Sequence, residues 1–172
     1  MSELEEFREA KDEFMKYHPQ SPLLPEQQEA FTALSYYPEN PALRLEVEVK
    51  PFEQPERVQM MTSTGDIQTY LKWGKFPFEV DGQPAELVIF RDMHGGYFLP
   101  FQDMTSGDET YGAGRYLEPR PLRNGRFLVD FNYAYNPYCA YNEMWSCPIP
   151  PKENRLKVPI RAGEKNFELA SH

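Results

Sequence analysis

Ala42-Leu-Arg-Leu-Glu-Val-Glu-Val-Lys50 alternates without a break: Leu43, Leu45, Val47 and Val49 against Arg44, Glu46, Glu48 and Lys50. A period of two marks a strand with one dry face and one wet face. Pro51 is expected to end it. The theme then repeats. Strands are predicted over residues 58–63, 67–73, 76–80, 85–91, 97–101, 109–118 and 126–132. Turn-forming residues separate most neighbours: Thr64-Gly65-Asp66, Asp81-Gly82, Gly95-Gly96 and Asn124-Gly125. No helical period falls between these segments, so parallel crossover units are not expected. The fold class that follows is mainly β: an antiparallel β-barrel or β-sandwich of about eight strands.

Upstream of residue 42 the period lengthens. Leu4, Phe7, Ala10, Phe14 and Met15 recur at three- and four-residue steps, which makes one apolar helical stripe. Ser2 and Glu5 are spaced as a capping box, and Pro19 closes the helix. A second short helix is expected over 25–34, with Pro25 as its first residue and Phe31 and Leu34 facing inward. Downstream of residue 132 periodicity fades. Tyr133-Ala-Tyr-Asn-Pro-Tyr-Cys-Ala-Tyr141 and Trp145-Ser-Cys-Pro-Ile-Pro-Pro151 hold aromatics, prolines and both cysteines. A long aperiodic stretch this aromatic is read as an ordered strap across the sheet. The chain is thus one domain, residues 1–172, with a helical cover over 1–34, a β-meander over 42–132 and a strap over 133–163.

The 172 residues carry 18 Lys+Arg against 27 Asp+Glu, a formal net charge of -9. Such a surface repels phosphate backbones, so nucleic acid and anionic membrane are excluded as partners. No run approaches the roughly 20 apolar residues that span a bilayer, and the N-terminus is acidic rather than basic-then-apolar. The expected location is cytoplasmic, with a removed export signal as the alternative.

Cys139 and Cys147 stand eight apart without partners at zinc spacing. They are read as buried free thiols, as a disulfide closing a short loop, or as a nucleophilic thiolate, for which no His stands nearby in sequence. His18, His94 and His172 share no ligand spacing, so no metal site is expected, and nothing calls for a cofactor. The loop Asp103-Met-Thr-Ser-Gly-Asp-Glu109 lacks the acidic spacing of a calcium loop. Ser106 lacks the flanking glycines of a hydrolase elbow. Two uses of this loop stay open: hydroxyl-capped turns, or a polar rim formed by Asp103, Thr105, Ser106 and Glu109 at the mouth of a pocket.

Tyr111-Gly-Ala-Gly-Arg-Tyr116 is read as a strand whose Gly112 and Gly114 share a face with Tyr116 and make a flat groove. Arg115, on the other face, is either bound by Asp103, Glu109 or Asp130, or left free to grip an acidic ligand. The first functional expectation is a small-molecule binding domain. Tyr111, Tyr116, Tyr135 and Trp145 would stack on the ligand, Arg115 would anchor it, and Asn132 would add neutral hydrogen bonds. The second is an enzyme, with Asp103 or Glu109 as acid or base and Cys139 or Tyr111 as the reactive partner. The third is an interaction module without a pocket. Oligomeric state is left open.

Several segments resemble a bacterial family known as domain of unknown function 1684. They are the string 101–117, the stretch 130–141, Cys147-Pro-Ile-Pro-Pro-Lys-Glu-Asn154, Val158-Pro-Ile-Arg-Ala-Gly-Glu164 and Thr62-Ser-Thr-Gly-Asp66. The resemblance covers most of the chain. It implies a single domain and no assigned chemistry.

Overall fold

The structure, a computed structural model, describes residues 2–169. The terminal His172 of the sequence reading lies outside the described residues. Among the described residues eight strands form two antiparallel sheets. The five-stranded sheet is a meander of β2 (Lys50–Met61), β3 (Ile67–Val80), β4 (Gln83–Arg91), β5 (Tyr97–Phe101) and β6 (Arg115–Leu117). The three-stranded sheet orders β1 (Arg44–Glu48), β8 (Arg126–Asp130) and β7 (Arg120–Pro121), with Arg44 opposite Asp130 and Val47 opposite Phe127. The sheets do not close into a barrel, and the arrangement is sandwich-like. The apolar faces meet in one core: Val47, Phe127 and Val129 from the smaller sheet against Phe76, Phe78, Leu87, Ile89, Leu99 and Phe101 from the larger. This joined apolar area is what holds the two layers together.

Two strand boundaries differ from the sequence reading for local reasons. Pro51 lies inside β2, because it sits before a register shift between Pro51 and Glu56, where a missing amide costs nothing. The segments 67–73 and 76–80 are one strand. Gly74 lets the chain bulge without breaking, since a Cβ there would lie 2.9 Å from Val49 Cγ1.

The N-terminal helices are α1 (Glu3–Tyr17) and α2 (Pro25–Ala30). Ser2 caps α1 by accepting from the Glu5 amide at 3.1 Å. The second helix stops four residues early, yet Phe31 and Leu34 are buried as expected, against Met15, Leu23 and Tyr141.

The strap is ordered and ties the two edges of the larger sheet. At one edge, Tyr135 and Tyr116 exchange backbone hydrogen bonds of 2.8 and 2.9 Å. At the other, the Ser63 amide donates to Cys147 O and the Ile149 amide to Met61 O. Asn154 fills a gap in the ladder. Strands β4 and β5 pair only at Phe90–Phe98 and Arg91–Tyr97. Beyond that the buried Asn154 amide accepts from Val88 N (2.8 Å) and donates to Val88 O (2.9 Å) and Pro100 O (2.8 Å). Replacing Asn154 with Leu orphans these groups in a dry interior. We expect about 2–3 kcal/mol of destabilisation in urea unfolding. A loss below 0.5 kcal/mol on the same scale would contradict this role.

Candidate functional site

The ten residues singled out in the sequence separate into four groups. One is a buried polar bolt. Arg115 is 1% exposed. Its Nη1 donates to the carbonyls of Ala162 and Glu164, and its Nη2 to Ile160 O (2.8 Å) and Asp103 Oδ2 (3.4 Å). Asp103 is filled in turn: Oδ2 accepts from the Ile160 amide, and Oδ1 from the hydroxyls of Thr105 (2.8 Å) and Ser106 (3.2 Å). Thr105 also meets Thr110 at 3.0 Å. Arg115 therefore holds the C-terminal stretch 160–164 against the loop 103–110, and its fork is occupied. Asp103 and Thr105 are buried turn residues rather than a pocket rim.

The glycine groove is replaced by a turn. Residues 111–114 lie outside any strand. Gly114 sits at φ +106, and a Cβ there would lie 2.5 Å from Phe101 O. The glycine thus serves backbone approach, not a flat ligand wall.

Glu109 stands apart. It accepts from Tyr37 Oη (2.8 Å) and from the Arg161 fork at 3.3 Å. The Arg161 hydrogen bond, followed by that from Tyr37, holds its carboxyl below the usual carboxylate range. Asn132 is spent on Asn40, donating to its carbonyl (3.0 Å) and accepting from its amide (2.8 Å). His94 is a turn residue whose amide donates to Asp92 Oδ1 at 2.8 Å.

The aromatic residues do converge. Tyr111, Tyr116, Tyr135 and Trp145 pack with Phe98 around Cys139 and Cys147. Each polar tip has a partner: Tyr111 donates to Cys139 Sγ (3.5 Å), Tyr116 to Pro148 O, Tyr135 to Glu118 Oε1 (2.7 Å) and Trp145 Nε1 to Pro22 O (3.2 Å). Burial, with Glu118 beside it, pushes the Tyr135 hydroxyl well above its ordinary range. Both cysteines are free thiols. A cleft of about 350 Å³ opens here, walled by Tyr116, Tyr135, Asn136, Trp145 and Cys147 among others.

A larger hollow lies on the far side of Tyr135 and Tyr138, which wall both. This groove holds about 680 Å³ between α1 and the smaller sheet. Phe7, Leu117, Leu128 and Tyr133 give it an apolar lining, and Lys11, Arg44, Arg120, Glu3, Glu118 and Asp130 a charged margin. Lys11 is held by the buried Glu164, which also accepts from Tyr141 Oη at 2.7 Å. Arg44 lies 3.8 Å from Asp130. Arg120, on the two-residue strand β7, enters no ion pair among the described residues. Sequence reading placed only Tyr135 at this groove. The exposed Phe7, on the helix stripe but packed at 4.9 Å against Tyr133 rather than buried, is the signal that α1 does more than cover a core.

The family described as protein of unknown function DUF1684 matches residues 29–165. The chain belongs to that family. Its matched span contains the Arg115 bolt, the strap and both cysteines, while α1, which walls the groove, precedes it. A similar solved structure is the solution NMR structure of the uncharacterized protein from gene locus rrnAC0354 of Haloarcula marismortui. It is 40% identical, covers 94% of this chain and 91% of that one, and superposes with a TM-score of 0.72. No curated protein matches the chain. Among the described residues no helix is long and apolar enough to cross a membrane.

Proposed function

We propose that the chain is a small-molecule binding protein whose site is the groove beneath α1, and that its ligand is a compact aromatic or alicyclic molecule carrying an acidic group. The observation that carries this reading is the groove itself. Its volume of about 680 Å³ is typical of small-ligand sites, which run to about 300–1,000 Å³. Aromatic and aliphatic walls supply contact area, and the unpaired Arg120 at the margin supplies a planar fork suited to a carboxylate. The anchor moves from Arg115 to Arg120, because the first guanidinium is consumed by the fold and the second is open to a ligand.

The test is thermal shift against aromatic carboxylates (benzoate, indole-3-carboxylate, naphthoate) and their carboxamides. A carboxylate at 100 times its Kd stabilises by about 2.7 kcal/mol, which raises Tm by about 5–10 °C in a chain of this size. We expect Arg120→Ala to erase the preference for carboxylate over carboxamide, and Leu128→Trp, which fills the groove, to erase both responses. A response that persists in Leu128→Trp places the ligand elsewhere and overturns the reading.

A further inference from the structure

We propose that Cys139 and Cys147 form a peroxide-reactive dithiol, a modification site that closes to an intramolecular disulfide and reopens with a thiol reductant. Four observations converge. Cys147 Sγ accepts from the Cys139 amide at 3.3 Å, so the two thiols sit within one side chain's reach. The Tyr111 hydroxyl donates to Cys139 Sγ at 3.5 Å, an arrangement that favours the thiolate, which is the reactive form. The second cysteine is fixed by the hallmark stretch 62–66: its amide donates to Ser63 Oγ at 3.1 Å and its carbonyl accepts from the Ser63 amide at 2.9 Å. Finally, Cys147 belongs to the wall of the smaller cleft, which gives a molecule as small as hydrogen peroxide a path to thiols only 4% and 8% exposed. Hydrogen bonding from Cys147, aided by Tyr111 and Ser63, pulls the Cys139 thiol down despite its burial, and raises that of Cys147. The Tyr111 hydroxyl on its Sγ makes Cys139 the attacking sulfur, and Cys147, held through its amide and carbonyl by Ser63, the resolving one. Among the described residues no group of three or more Cys, His, Asp or Glu is placed to hold a metal ion.

The chemistry balances with a peroxide as oxidant. The Cys139 thiolate attacks one peroxide oxygen, the O–O bond breaks, and the departing hydroxide takes a proton to become water. Cys147 sulfur then attacks the sulfenic sulfur; the S–S bond forms, the S–O bond breaks, and the leaving hydroxide takes the Cys147 proton as a second water. Two thiols lose two electrons, and one peroxide gains them.

The test uses the full reduced chain, hydrogen peroxide and no ligand, so it is independent of the groove. Thiol titration after quenching is expected to fall from two to none. Intact mass is expected to drop by two hydrogens, the chain to remain monomeric on a non-reducing gel, and dithiothreitol to restore both thiols. In Cys147→Ser the stalled Cys139 sulfenic acid is expected to be trapped by dimedone. Retention of both thiols under peroxide that oxidises free cysteine would overturn the proposal. So would disulfides between chains, or a mass gain from over-oxidation without the two-hydrogen loss.

Discussion

Arg115→Met is expected to lower the unfolding free energy by about 3–5 kcal/mol, the usual cost of removing one partner from a buried ion pair. Methionine fills much of the same space but leaves Asp103 charged and dry beside the Ile160 amide, and leaves the carbonyls of Ile160, Ala162 and Glu164 without their shared donor. Denaturant unfolding, with the m-value checked for constancy, gives the number. Arg115→Lys is expected to recover little, because an ammonium offers one donor centre where the guanidinium serves four acceptors from two nitrogens. A further Asp103→Asn change in the methionine variant should cost less than the same change in the native chain, since the unpaired charge is removed. A loss near 0.5 kcal/mol for Arg115→Met, the scale of a surface substitution, would mean the guanidinium is not the bolt described.

Gly163→Ala is expected to be nearly as damaging. The residue sits at φ +81, and an added Cβ would lie 2.6 Å from Ala134 O and 2.8 Å from Phe131 O, both backbone atoms unable to swing aside. Left-handed strain contributes about 1–2 kcal/mol and overpacking about 1–3 kcal/mol, giving about 2–5 kcal/mol in all. Gly65→Ala separates the two causes. Its φ is +89 but nothing lies within 4 Å of the added carbon, so only the strain of about 1–2 kcal/mol remains. Equal losses at the two glycines would show that crowding at residue 163 plays no part.

Much of the fold was legible because antiparallel strands print their register on the sequence. The alternation at residues 42–50 gave β1, and the Asp81-Gly82 turn gave the β3–β4 hairpin, where Val80 pairs with Gln83. What was not legible depends on long-range partners. Glycine at position 114 reads as a strand interior until Phe101 O and Pro150 close in on it. Whether Arg115 is paired or left free for a ligand stays open in the sequence, which offers Asp103 as one partner but not the carbonyls 45 to 49 residues downstream that fill the fork. Closure into a barrel depends on whether β1 pairs with β2 or with β8, and no local pattern encodes that choice. The strap illustrates both sides. Its Tyr135 and Trp145 converge with Tyr116 of β6. Its fork into two hollows on either side of Tyr135 and Tyr138 depends on where α1 lands, which its apolar stripe alone does not specify.

The proposed function divides labour between two arginines: Arg115 is built into the interior, and Arg120 lines the groove. Amide chemical-shift mapping of the full chain, titrated with the aromatic carboxylate that most raises its Tm, tests it directly. Shifts are expected to concentrate at Phe7, Lys11, Leu117, Arg120, Leu128 and Tyr135, with Asp103, Thr105 and Arg115 unmoved. Shifts centred on Asp103 and Arg115, with the α1 groove silent, would contradict it.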